Sequence, residues 1–226
     1  MKLAFLLILL LNFTVIAQEN FEIKNASKNY DVKGTVEECE NKTCKGKLSF
    51  SIYRKRAKKP FQIIYLKNTH LSLSEENQLD IFKIKDKSNG IWSDIYIEDF
   101  NFDGNDDIAL VDGLNGGYRG ESYVVYLYSP KKNKFVYNRN FTRLTQGPYI
   151  GIFETERKDK TLTTFWKSGC CMHSTEKYKL VNNRPKKVKE VNEYRNPRGD
   201  NMIEIETKKL IKGRWRIWIK HIPITE

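Results

Sequence analysis

Between residues 47 and 222, apolar side chains recur at every second position, in short runs that stop at turn signals. Residues 47–54 set Leu48, Phe50 and Ile52 against polar neighbours. That period sends successive side chains to opposite faces of an extended chain, so it fits a half-buried strand and not a helix. The same reading holds for residues 61–66, 94–100, 108–111, 121–128, 149–154, 161–166, 175–181, 202–210 and 214–222. Between them lie Ser129-Pro130-Lys131-Lys132-Asn133, Lys158-Asp159-Lys160, Asn182-Asn183 and Lys212-Gly213, all turn-forming sequences. The expectation is an all-β, antiparallel single domain, β-propeller-like or sandwich-like. Residues 71–82 are the one stretch that reads as a helix, with Ser74 as its cap. Hydrophobic residues make up 39% and aromatic residues 12%, enough to build a packed core and to exclude disorder over most of the length.

The first seventeen residues have a different character. Lys2 gives a positive start, residues 3–11 are apolar, and Val15-Ile16-Ala17 offers a cleavage site. This is the layout of a secretory signal peptide, and the apolar run falls short of the roughly 20 residues needed to span a bilayer. Residues 1–17 are therefore read as a signal peptide and 18–226 as the exported β domain, with no transmembrane segment once the signal is removed. Export favours disulfides among Cys39, Cys44, Cys170 and Cys171. Three pairings are open. The local one joins the neighbours Cys170 and Cys171, whose α-carbons sit closer than disulfides usually do. The competing reading makes Cys170, Cys171 and His173 a thiolate–imidazole metal site.

One motif stands above this background. Asp99-Phe-Asn101-Phe-Asp103-Gly104-Asn105-Asp106-Asp107 fits D-x-N-x-D-G-x-x-D. Alternate oxygen side chains turn inward when such a loop wraps a hard cation, and the glycine allows the sharp bend. The side chains of Asp99, Asn101, Asp103 and Asp107 and the carbonyl of Asn105 form a candidate Ca2+ ligand set, with Asp106 facing away. The flanks read as strands and the twelfth place is Leu110, so the loop is not an EF-hand. From residue 88 to 118 there are seven acids and no Lys or Arg, a concentration of negative charge that a cation would relieve.

A glycine-rich segment follows, from Gly113 to Tyr123. No Gly-Lys-Ser/Thr and no helix come after it, which excludes a phosphate-binding loop. It reads as a long, pliable recognition loop carrying Tyr118, Arg119, Ser122 and Tyr123, with a wide hairpin turn as the alternative.

The calcium motif, the glycine loop, Ser122-Tyr123-Val-Val-Tyr126-Leu-Tyr128, Lys134-Phe135-Val136-Tyr137-Asn138 and Ser168-Gly169-Cys170-Cys171 together resemble secreted bacterial proteins of one family. These are the calcium-binding, β-propeller-like periplasmic proteins related to lysozyme inhibitors, whose calcium loop is shared with FG-GAP repeats. The resemblance covers roughly residues 92–218. It implies a compact β fold, structural calcium at Asp99, Asn101, Asp103, Asn105 and Asp107, and inhibition of a peptidoglycan-cleaving enzyme such as a lysozyme-like glycoside hydrolase by an inserted loop. Independently of the resemblance, three histidines and no nucleophile signature make a hydrolytic enzyme a poor expectation for the chain itself.

Charge qualifies the choice of target. Forty Lys plus Arg against 28 Asp plus Glu give a net charge of +12, which favours a partner with an acidic surface. Two clusters concentrate it: Arg54-Lys55-Arg56-Ala57-Lys58-Lys59, and the alternation of Arg214, Arg216, Trp218 and Lys220 against Trp215, Ile217 and Ile219. In an exported chain these point to solvated faces or to anionic lipid or envelope polymer, and not to nucleic acid. Two alternatives stand beside the inhibitor-like reading. One is an enzyme acting on envelope polymers through the paired acids Glu154 and Glu156. The other is a structural or adhesive exported β domain without an inhibitory role.

Overall fold

The computed structural model describes residues 18–23, 26–73, 94–195 and 201–224. The signal segment, and residues 74–82 of the expected helix, lie outside the described residues. The chain is all-β and sandwich-like: about 63% of the described residues are strand, in three antiparallel sheets that do not close into a barrel.

The first sheet is a meander of β1 (Glu19–Ile23), β2 (Tyr30–Glu40), β3 (Thr43–Arg54) and β4 (Gln62–Ser72). Its inward residues follow the period of two: Val32 lies opposite Ile52, and Val36 opposite Leu48. Gly34 lies opposite Phe50 on one side and Phe21 on the other. The Phe21 ring fills the space a side chain would take, since a Cβ on Gly34 would fall 2.0 Å from its Cζ. Leu71 and Ser72 end β4, so the expected helix does not begin there. Their alternation with His70 and Thr69 continues the strand, and Leu71 is buried.

The second sheet orders β5 (Ile95–Glu98), β6 (Asp107–Val111), β7 (Tyr123–Ser129) and β8 (Lys134–Tyr137). Every residue of β6 is buried, as befits a strand covered on both faces. The third sheet runs β9 (Glu154–Glu156), β10 (Thr161–Ser168), β11 (Met172–Val181), β12 (Arg184–Arg195), β13 (Met202–Ile211) and β14 (Arg214–Pro223). The strand expected over residues 149–154 is reduced to a bridge between Tyr149 and Trp166. Gly151 takes a positive φ of 67°, and the chain bends to bury Ile152 and Phe153 before β9 begins.

A short helix, α1 (Arg139–Thr142), starts at Asn138, whose side chain accepts from the Asn140 and Phe141 amides. Phe141 and Phe153 meet edge to face at 5.8 Å, and Phe153 meets Phe100 at 5.5 Å. These rings tie the second sheet to the entry of the third. The first and second sheets join through Gln62, whose amide exchanges hydrogen bonds with Phe135 N and O at 2.8 and 2.9 Å. Thr69 adds a bond of 3.1 Å to Val111 O.

Candidate functional site: an acidic loop and a braced glycine loop

The acidic loop joins β5 to β6. Phe102 and Gly104 take φ of 61° and 89°, which turn the chain back on itself. Asp99 accepts the amides of Asp103 and Gly104 at 3.0 and 2.9 Å, and Asp103 accepts that of Asn105 at 2.9 Å. Asn101 accepts the Asp103 amide at 3.2 Å. The side chain of Asp106 leaves the loop and accepts from Asn29 at 3.1 Å.

Asp107 anchors the loop from below. It is fully buried, and its carboxylate accepts the amides of Phe100 at 3.0 Å, Asn101 at 3.3 Å and Tyr128 at 2.8 Å. Its carboxyl is raised to about 8: burial raises it most, the charges of Asp103 and Asp99 add to the rise, and the Tyr128 and Phe100 amides oppose it. Among the described residues, no ion pair reaches Asp99, Asp103 or Asp107. The donor set is therefore all oxygen, partly desolvated and uncompensated in charge, which is the chemistry a hard cation needs. Among the described residues no three His, Cys, Asp or Glu side chains converge at metal-binding spacing. A cation would have to draw Asp99 and Asp103 inward from the turn amides they now accept.

The glycine loop joins β6 to β7, and Gly116 and Gly117 serve close approach, not pliability. A Cβ on Gly117 would fall 2.3 Å from Pro148 O, and one on Gly116 would meet three backbone oxygens within 3.1 Å. Gly117 N donates to Tyr149 O at 2.7 Å, and Gly116 N to Gly120 O at 3.0 Å. The four expected contact residues separate into two pairs. Tyr118 and Arg119 stand at the surface, both in the left-handed region with φ of 57° and 56°, and Tyr118 is 61% exposed. Ser122 and Tyr123 lie beneath, both buried, so the expectation that they present themselves to a partner is corrected. The Ser122 hydroxyl donates to Asp112 O at 2.8 Å and closes the neck of the loop. Tyr123 packs on Tyr96 at 5.5 Å and its hydroxyl donates to Glu121 at 2.7 Å. Burial, then Tyr96 and Glu121, push the Tyr123 phenol well above its ordinary range.

The loop is also tied to the third sheet. Gly169, at the β10–β11 turn, donates its amide to the Tyr118 hydroxyl, and Lys167 Nζ lies 5.2 Å from the centre of the Tyr118 ring. That turn carries a disulfide between Cys170 and Cys171, and a second joins Cys39 to Cys44 across the β2–β3 turn. With both thiols bonded to each other, the thiolate–imidazole reading is corrected. His173 instead faces Phe165, with ring centres 5.9 Å apart.

Part of the first basic cluster is engaged within the fold. Arg54 lies 4.5 Å over the Phe61 ring and donates to Asn133 at 2.6 Å, and Lys55 pairs with Asp31. Glu154 and Glu156 are exposed on β9. The polar cluster that sequence reasoning missed centres on Glu176. This buried carboxylate accepts from Tyr149 at 3.0 Å, Lys187 at 3.1 Å, Trp166 at 3.4 Å and the Tyr178 hydroxyl. Burial, then the bond to Glu176, push the Tyr178 phenol well above its ordinary range. The signal was present in the alternation of Glu176 and Tyr178 on one face of a strand, but nothing local names their partners.

No family model matches the chain, and no curated protein does. Among solved structures it is similar to a Xanthomonas type IV secretion system related protein, at 19% identity and a TM-score of 0.69, over 91% of this chain and 94% of that one. At that identity the likeness is one of fold. Among the described residues, no helix is long and apolar enough to cross a membrane.

Proposed function

We propose that this is an exported, calcium-binding β protein that engages a glycan-cleaving enzyme through the tip of its glycine loop. The reading is of a binding protein and not an enzyme. The observation that carries it is the presentation of Tyr118 and Arg119: both are exposed, held in left-handed backbone conformations, and buttressed by buried Ser122 and Tyr123. A braced loop loses little freedom on binding, and Tyr and Arg supply area together with hydrogen-bonding ends. Arg119 has the charge and fork geometry to meet the carboxylates of a glycoside hydrolase cleft. The resemblance to periplasmic proteins related to lysozyme inhibitors supports the choice of target, and a fold neighbour described as secretion-system related is compatible with export. Two disulfides suit an oxidising compartment.

In this reading Asp99, Asn101, Asp103 and Asp107, with the Asn105 carbonyl, hold Ca2+. The ion would neutralise the charge around Asp107 and fix the β5–β6 turn. The test uses purified chain 18–226 and lysozyme-like hydrolases of several classes, with binding and inhibition measured together. Arg119→Ala should weaken binding by about 1.5–3 kcal/mol, the range for a charge-assisted bond, and leave melting unchanged. Chelator should lower the melting temperature of the parent but not that of Asp103→Ala. Absence of binding to any such enzyme removes the partner reading, and identical melting with and without chelator removes the calcium.

A further inference from the structure

The edge of the third sheet is built unlike the rest of the surface. In β14, Trp215, Ile217, Trp218 and Ile219 are each between 45% and 57% exposed. Trp215, Ile217 and Ile219 share one face of the strand and Trp218 lies on the other, so apolar surface open to water flanks this edge on both faces. Strand pairing places Trp215 beside Leu210 and Ile217 beside Lys208 on one face, and Arg216 beside Lys209 and Trp218 beside Thr207 on the other. Among the described residues β14 pairs only with β13, at the edge of the sheet.

The charge of the hairpin indicates what covers it. From Thr207 to Lys220 there are six cations and no acid. Lys208 is engaged by Glu190 and Glu206 at 3.3 and 2.9 Å. Lys209, Lys212, Arg214, Arg216 and Lys220 have no ion pair among the described residues. A second copy would fit poorly, because edge-to-edge pairing of β14 with itself sets the Arg and Lys side chains of both copies along one seam. Trp and Ile interleaved with Arg and Lys suit a surface that is apolar beneath a layer of negative charge.

We propose that β14, with the β13–β14 turn, is a docking edge for an anionic lipid surface. The indole and isoleucine side chains enter the headgroup boundary, and Lys209, Lys212, Arg214, Arg216 and Lys220 meet the lipid phosphates. This holds the protein against a membrane through one sheet edge.

Trp215 and Trp218 are built-in reporters. Chain 18–226 is titrated with vesicles of phosphatidylglycerol and phosphatidylcholine, and with phosphatidylcholine alone, while tryptophan emission and co-sedimentation are followed. Partitioning onto the anionic vesicles should be at least about tenfold stronger, should fall with salt, and should shift emission to the blue. Trp215→Ser with Trp218→Ser should lower partitioning about tenfold or more, and Arg214→Gln with Arg216→Gln should abolish the preference for anionic vesicles. Because these side chains are exposed, melting should not change, and any variant that melts early is replaced by Lys212→Gln with Lys220→Gln. Equal binding to both vesicle types overturns the proposal, as does no binding at low salt. So does a concentration-dependent dimer that the tryptophan variant breaks, which would give the edge to a second copy. Retention by a soluble polyanion with unshifted emission also overturns it.

Discussion

Replacing Gly117 by alanine adds a single methyl group, and the structure states what it meets. The new Cβ would lie 2.3 Å from Pro148 O, 3.0 Å from Pro148 C and 3.2 Å from Ile150 Cγ1. The first of these atoms is backbone, and it belongs to the segment that receives the Gly117 amide at Tyr149 O, 2.7 Å away. Relieving the clash therefore separates the two segments and weakens that bond. Overpacking costs about 1–3 kcal/mol and a lost hydrogen bond about 0.5–1.5 kcal/mol. A total of about 2–4 kcal/mol should lower the melting temperature by about 5–15 °C in a domain of this size. The matched control is Gly113→Ala, where the nearest atom is Asn115 Nδ2 at 3.5 Å. There only the positive φ of 74° is strained, at about 1 kcal/mol. Scanning calorimetry on both variants decides the matter. If Gly117→Ala melts with the parent, the loop does not sit against Pro148, and its glycines give flexibility after all.

Three further outcomes are expected. Glu176→Ala should cost about 3–5 kcal/mol in denaturant unfolding, because Lys187 and the Tyr149 and Tyr178 hydroxyls lose a buried acceptor, and Glu176→Gln should cost less. For Glu190, burial opposes ionisation, but bonds from Lys187, Asn192 and Lys208 outweigh it and take the carboxyl down to about 2 from 4.5. A folded-state value below the unfolded one stabilises at higher pH, so about 1–2 kcal/mol, allowing for solvent screening, should be present above pH 4.5 and be lost toward pH 2 in a pH series of unfolding curves, but not in Glu190→Gln. Thiol titration of denatured, unreduced protein should find no free thiol, and Cys39→Ala with Cys44→Ala should cost about 2 kcal/mol by loop-closure entropy.

The strands most legible in the sequence were those with one wet and one dry face. Residues 47–54 and 175–181 alternate cleanly, and both are strands. β12 was missed because Arg184-Pro-Lys-Lys-Val-Lys-Glu carries charge on both faces; Lys187 finds Glu176 on β11 and Glu190 finds Lys208 on β13, which no local window contains. Residues 149–154 misled in the opposite way: their apolar content serves the core at Ile152 and Phe153 and not a ladder. The acidic loop was readable because its spacing is local. The division of the glycine loop into a tip and a brace was not, since Ser122 and Tyr123 are fixed by Asp112, Tyr96 and Thr145, two of them far along the chain. The cluster around Glu176 failed for the same reason.

In all three sheets, every hydrogen-bonded pair of strands is consecutive in the chain. No strand waits for a distant partner to be delivered, so each sheet assembles from hairpins whose loop-closure entropy is met early and locally. Remote segments meet at the seams between sheets, as at Gln62 with Phe135, Thr69 with Val111 and Phe100 with Phe153. Such an arrangement lowers contact order relative to a Greek-key sandwich of the same size and favours faster folding. It also makes each meander a natural unit of partial opening under native conditions. A chain that emerges N-terminus first then completes its first sheet while the later strands are still being delivered.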